Sequence, residues 1–224
     1  MAQTNNPFRT EQHPPRTQPQ QRRAEETIDK VKRAMLELLI EEGYAAASTN
    51  RVARRAGVNI ASLYRYFPNR SAIALALYED AAAELARMVH QRLIGRMDLP
   101  LRESLREMIA TLVEYLDEKQ IILMRLSDEV PELRESTQAM ALETLARNSS
   151  LVYIEHHLGP LDPETRARTL YFVQHFPMGL MRRYISERPP PMPRTAFVDE
   201  LTLLILRYLQ PPAEAATDKA PRKK

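Results

Sequence analysis

Residues 48 to 70, STNRVARRAGVNIASLYRYFPNR, hold five arginines (Arg51, Arg54, Arg55, Arg65 and Arg70) and no acidic residue, in a chain with 29 Asp and Glu overall. Guanidinium groups set among Ser, Thr, Asn and Tyr side chains suit binding to an anionic polymer. Arginine forks onto phosphate or onto a guanine edge, and hydroxyls and amides donate to phosphate oxygens or read bases. Arg65 can make either kind of contact, whereas Ile60 and Ala61 can supply only apolar contact, such as to a thymine methyl.

These side chains need short elements to hold them. Ser48 is a good N-cap, and Arg51 to Ala56 can follow it as helix. Gly57 sits where a helix ends in a left-handed residue, and Val58 is the apolar residue that packs back on such an end. Asn59 can cap a second helix, Ile60 to Tyr66, which Pro68 stops. Two short helices about a glycine turn describe a helix-turn-helix, the second helix being the reader. Asn59, Ile60, Ser62, Tyr64 and Arg65 are its outward candidates, while Leu63 and Phe67 have the spacing of residues turned inward. Upstream, Ile28, Val31, Met35, Leu38 and Leu39 form one helical stripe closed by Glu41-Glu42-Gly43-Tyr44. Downstream, Asn69 can cap a long helix that carries Ile73, Leu77, Leu85 and Met88. Arg54 and Arg55 are read as a solvated face of the first short helix.

The string LLIEEGYAAASTNRVARRAGVNIASLYRYFPNRSAI resembles the N-terminal domain of the TetR family of bacterial transcriptional regulators. The resemblance covers about residues 24 to 90 and combines the EEGY helix end, V-A-x-x-A-G-V and L-Y-x-Y-F-P-N-R in order. It implies that Tyr64 and Tyr66 approach the DNA backbone and that Arg70 binds phosphate. Thr49 and Asn50, beside Ser48, match positions that touch phosphate or a base. The family often has Lys, Arg or Gly near positions 60 and 61, where this chain has Ile and Ala. The expected DNA-facing set is Ser48, Thr49, Asn50, Asn59, Ile60, Ser62, Tyr64, Arg65, Tyr66 and Arg70, with double-stranded DNA as partner.

Composition sets limits on the rest. Five glycines in 224 residues, and no run rich in Val, Ile and Thr, predict an all-α chain. The expected architecture is an N-terminal three-helix helix-turn-helix domain (24–70), joined by a linker helix to a larger helical ligand-binding and dimerisation domain (71–210). The Pro- and Gln-rich residues 1–23, with Arg9, Arg16, Arg22 and Arg23, are expected to be a disordered basic arm, and 211–224 a disordered tail. The net charge is +3, its basic excess lying in the helix-turn-helix and both tails. Zero cysteines exclude disulfides and thiolate sites. No apolar run nears the roughly 20 residues that span a bilayer, and MAQTNNPFRTEQHPP lacks the apolar core of a signal peptide. A cytoplasmic protein without membrane contact is expected. The absence of a Gly-rich phosphate loop, G-x-S-x-G and H-E-x-x-H argues against an enzyme. Adjacent His156 and His157 diverge on a helix and make a poor metal pair, so neither metal nor cofactor is expected.

Beyond residue 95, Asp98 is expected to cap a helix bearing Leu101, Leu105, Met108, Ile109, Leu112 and Leu116. A short element at Gln120 to Leu126 should follow, then a long helix opened by Asp128 and Pro131 and closed by Gly159. Asp162-Pro163 should start the next helix, which Pro177 bends or splits, and a last helix should run from Arg194 to Leu209. That last helix is apolar on nearly all sides, so one face wants a partner beyond a single core. Val173, Phe176, Leu180, Tyr184, Leu201, Leu204, Ile205 and Tyr208 are the candidates for a homodimer interface, as the resemblance also implies; a helix buried within one large domain is the alternative. The resemblance implies as well that the middle helices enclose a small-molecule pocket. Candidate lining residues are Met88, Met108, Leu112, Met124, Met140, Tyr153, Phe172, His175 and Met178. Tyr153, His156, Gln174, His175 and Arg125 are the polar groups at hand, which implies a largely apolar effector. The resulting expectation is a ligand-responsive repressor that acts as a homodimer on a pseudo-palindromic operator. An activator, a regulator controlled by a protein partner, and a helical scaffold or ligand-binding dimer that no longer reads DNA are the alternatives.

Overall fold

In the computed structural model, the backbone of residues 17–209 is described, with side chains from 21 onward except at 131, 134, 138, 139 and 142. The described chain is all helical, without a strand. It divides between Ile73 and Ala74 into two compact units, three residues beyond the boundary expected at 70/71.

The first unit contains α1 (Thr17–Glu42), a 3-10 turn (Tyr44–Ala46), α2 (Thr49–Ala56), α3 (Ile60–Tyr66) and the first turn of α4 (Arg70–Ile94). α1 starts at Thr17, so residues 17–23 of the expected arm are helical and carry Arg22 and Arg23 on a regular turn. The remaining disordered segments expected, 1–16 and 211–224, lie outside the described residues, as does residue 210. Val31, Met35, Leu38 and Leu39 of α1 are buried, as are Val52, Ala53, Leu63, Phe67 and Ile73, where α1, α2 and α3 pack on one another. The expected inward pair, Leu63 and Phe67, is found there.

The second unit holds the rest of α4, then α5 (Leu101–Glu118), a π-helical stretch (Ile121–Leu126), α6 (Ser127–Glu129) and a 3-10 turn (Pro131–Glu135). α7 (Thr137–Leu158), α8 (Pro163–Ser186) and α9 (Arg194–Leu209) complete it. Its core joins Leu105, Met108, Ile109, Val113 and Leu116 of α5 to Met181, Tyr184 and Ile185 of α8 and Phe197, Val198, Leu201 and Ile205 of α9. Tyr184 and Phe197 stack with ring centres 4.1 Å apart. The Tyr115 hydroxyl ties α5 to α4, lying 2.9 Å from the Ala81 carbonyl and 3.0 Å from Glu84 Oε2. Asp117 accepts from Arg188 (2.9 Å) and Arg194 (2.7 Å), which anchors both ends of the proline-rich connector to the end of α5.

Two helix boundaries differ from expectation. Pro100, not Asp98, occupies the cap of α5, and no side chain caps that end. The long helix expected from Asp128 starts only at Thr137. Pro131 has no N–H to continue a helix and restricts Val130, which takes φ −136° and ψ 79°, so α6 stops at Glu129. α8 is not split at Pro177 but continues through it, leaving the Val173 carbonyl without its usual N–H partner. Asp162 caps α8 as expected, accepting from Glu164 N and Thr165 N at 3.1 Å each.

Candidate nucleic-acid interface and ligand chamber

Local capping builds the α2–α3 unit. Ser48 Oγ accepts from the Arg51 amide at 3.4 Å, and Asn59 Oδ1 accepts from the Ala61 amide at 2.8 Å. Gly57 adopts φ 65° and ψ 31°, a conformation that strains any residue with a Cβ, and the Val58 amide donates back to the Ala53 carbonyl at 3.0 Å. With Leu63 fully buried, α3 turns its other side out, and Tyr64 is 50% exposed. Asn59, Ala61 and Arg65 are exposed too, and Ile60, Ser62 and Tyr66 half-buried.

The outward side chains are held in place rather than free. The Tyr64 hydroxyl lies 3.1 Å from Thr49 Oγ1, linking the reading helix to the start of α2. Arg65 Nη2 donates to the Tyr66 hydroxyl at 2.8 Å, with its guanidinium 4.9 Å from that ring's centre. Arg70 lies 4.5 Å from the centre of the Tyr44 ring and donates to the Tyr44 and Ala45 carbonyls at 3.4 and 3.3 Å. Neither Arg65 nor Arg70 meets a carboxylate among the described residues, so no acid competes with an external anion for either guanidinium.

The five arginines do not form one free set. Arg51 is paired with Glu42, and Arg55 grips Glu41 with two donors at 2.9 and 2.8 Å and reaches Glu37 at 3.4 Å. Hydrogen bonds from these guanidiniums hold the Glu41 and Glu42 carboxyls below the ordinary range. Arg55, expected on a solvated face, therefore fastens α2 to α1. Its partners lie outside residues 48–70, where a count of local charge does not look.

The second unit holds a half-open cavity of about 630 Å³ lined by residues of α4, α5, the π-helical stretch, α7, α8 and α9. That is within the roughly 300–1,000 Å³ typical of small-molecule sites. Its wall is mostly aliphatic, with Leu85, Val89, Leu105, Ile109, Leu116 and Leu123 among it. Of the residues expected there, Met108, Leu112, Met124, Tyr153, His175 and Met178 line it, as does Gln174. Met88, Met140 and Phe172 do not, nor do His156 and Arg125; Met140 and Phe172 are about half exposed instead. Burial pushes the Tyr153 phenol pKa up. Val173 and Pro177 both face the chamber, so the carbonyl freed by the proline belongs to a lining residue. Sequence reasoning missed Tyr78, Glu143 and Arg182, the last paired with Asp128. Gln174, Met178 and Arg182 at four-residue spacing were the available signal, being one face of α8.

Residues 33–77 match the family of bacterial regulatory proteins of the tetR type, and residues 100–209 match the tetracyclin repressor-like C-terminal domain. Together they span well over half of the chain. It belongs to the TetR family. An uncharacterised HTH-type transcriptional regulator of Mycobacterium tuberculosis is 44% identical over 48 residues, 21% of this chain and 25% of the relative, so the match spans about a quarter of that protein. A TetR-family transcriptional regulator of Mesorhizobium loti shares the fold, with a TM-score of 0.64 and 15% identity over 83% of this chain and 98% of the other. The regulator FadR of Bacillus subtilis, solved with stearoyl-CoA, has a TM-score of 0.57 and 14% identity over 79% and 96%.

As a TetR-family member, the chain is a transcriptional regulator with a helix-turn-helix DNA-binding domain, and its neighbours in fold are regulators rather than enzymes. No helix among the described residues is long and apolar enough to cross a membrane. No group of three or more His, Cys, Asp or Glu is placed to hold a metal ion among them. The residues expected at a dimer interface divide. Tyr184, Leu201 and Ile205 are buried in the core of their own unit, because α8 and α9 turn that face onto α5; Val173 lines the chamber and Leu180 packs against the core. Phe176, Leu204 and Tyr208 remain exposed, joined by Phe172, whose ring lies 5.7 Å from that of Tyr208.

Proposed function

We propose that the protein is a ligand-responsive, sequence-specific regulator, most simply a cytoplasmic repressor, that binds a pseudo-palindromic operator as a homodimer. The observation that carries this is the division of labour from α3 to the start of α4. Leu63 and Phe67 hold the fold, whereas Tyr64, Arg65 and the seated Arg70 stand outside it with no carboxylate partner. A surface shaped this way serves an external anion. Tyr64→Ala and Arg70→Ala should each weaken operator binding by about tenfold or more while the protein stays folded, with helical circular dichroism retained at the binding temperature. Unchanged affinity in both variants contradicts the assignment.

Dimerisation is supported by the aromatic face that α8 and α9 leave uncovered, Phe172, Phe176, Leu204 and Tyr208. A twofold pair of such faces builds a four-helix interface and presents two reading helices to two half-sites. Sedimentation at micromolar concentration should give a dimer that Phe176→Glu with Leu204→Glu converts to monomer. A wild-type monomer contradicts it. Effector control is supported by the apolar chamber, and the fold carries a ligand in B. subtilis FadR. Ligand would shift the population between DNA-competent and incompetent arrangements by its differential affinity for them.

A further inference from the structure

The chamber shares two polar lining residues with a neighbouring hollow. Gln174 and His175 line the chamber and also line this second concavity of about 420 Å³ along α7 and α8. Arg147 of α7 and Arg166 of α8 bound that space, and none of its lining residues is acidic. Glu143 and Glu155 pair with these arginines at 3.3 and 2.7 Å; neither lines the second concavity, though Glu143 lines the chamber beside it. Both arginine side chains are more than two-fifths exposed. Pairs of this kind are weak, so an entering anion can exchange with the carboxylates at little cost. His175 adds a positioned donor or acceptor. Its Nδ1 lies 2.8 Å from the Tyr171 carbonyl, which can only accept, so Nδ1 carries the proton and Nε2 is left for another partner. The ring stacks on Tyr171 at 4.6 Å, which fixes its plane.

We propose that the effector site runs from the apolar chamber into this basic mouth and takes an amphipathic anion. An alkyl or acyl chain would lie among the aliphatic side chains, and its carboxylate or phosphate head would meet Arg147, Arg166 and His175. This rests on the chamber's being the effector site, and it adds the chemical class of the effector. A chain alone would meet no charge at the mouth, where the two guanidinium groups are held only by exchangeable surface pairs with Glu143 and Glu155. An anionic head can take charge-assisted, two-pronged hydrogen bonds from each.

The test uses the full chain, stripped of bound lipid, and the neutral apolar fluorophore N-phenylnaphthylamine. Dodecanoate, dodecyl phosphate, dodecanol and dodecyltrimethylammonium compete for the chamber, sharing one tail and differing only in the head. The anions should displace the probe at concentrations at least about tenfold below the neutral and cationic competitors. The tighter of the two anions identifies the head group. Arg147→Gln, and Arg147→Gln with Arg166→Gln, should close that gap while leaving dodecanol unchanged, which also shows that the chamber is intact. Equal displacement by all four competitors overturns the anion preference while keeping the chamber as a ligand site. No uptake of the fluorophore overturns the chamber assignment itself.

Discussion

The two units are built on different principles. In the first, adjacent residues specify almost every feature: Ser48 and Asn59 cap α2 and α3, Gly57 turns the chain between them, and Leu63 and Phe67 fasten α3 to the core. In the second, residues far apart in sequence meet around a space, as Tyr78, Leu112, Tyr153, His175 and Ile205 do at the chamber. A surface that must match the fixed shape of DNA gains from rigid local geometry. A site that must admit and release a small molecule gains from a wall with gaps. The comparison can be broken at both ends.

Truncation inside the first unit should have the largest effect. Leu63→Ala removes a fully buried side chain from a closely packed cluster and should cost about 2–5 kcal/mol. Hydrogen exchange of the α1–α3 amides would report it. Leu112→Ala, at the chamber wall, removes atoms that already face empty space and should cost only about 1 kcal/mol. Equal costs at the two positions would remove the distinction.

Gly57→Ala comes next. A Cβ there would meet nothing within 4 Å, so the cost is the left-handed backbone alone, about 1–2 kcal/mol. A loss much larger than this in denaturant titration would mean that crowding, not backbone conformation, selects the glycine.

The smallest effect is electrostatic. Glu41 and Glu42 have pKa values lowered by hydrogen bonds from Arg55 and Arg51, so they bind fewer protons folded than unfolded. Their contribution is present above the ordinary carboxylate pKa of about 4.3 and is lost as pH falls through the lower folded values. Both lie at the surface, so the loss should be slight and sensitive to salt. Glu41→Gln should flatten the acid limb of the first unit's stability curve; an unchanged limb would mean that the pairs do not fasten α2 to α1.

The same contrast explains what the sequence disclosed. The helix-turn-helix was legible down to single caps because caps, turn glycines and inward spacing act within four or five residues. The Asp162-Pro163 start of α8 was legible for that reason too. The pairing of Arg51 and Arg55 was not, since Glu37, Glu41 and Glu42 lie in another helix. Helix rotation was the second obstacle. α7 and α9 carry apolar residues on most sides, so the pattern does not say which side faces inward. Met140 therefore fell outside the chamber, and Leu201 and Ile205 went to the core rather than to the expected dimer face. Pro131 carried a signal of its own, yet Asp128 before it resembled a cap and hid the break before α7.

The most direct test of the central claim is fluorescence anisotropy on DNA from upstream of the protein's own coding sequence, against an unrelated duplex and across a salt series. A sequence-specific regulator should bind the upstream DNA more tightly and keep that preference as salt rises, and Arg70→Ala should shallow the salt slope by about one. Failure to bind either duplex even at low salt would contradict the account, leaving a helical dimer whose helix-turn-helix no longer reads DNA.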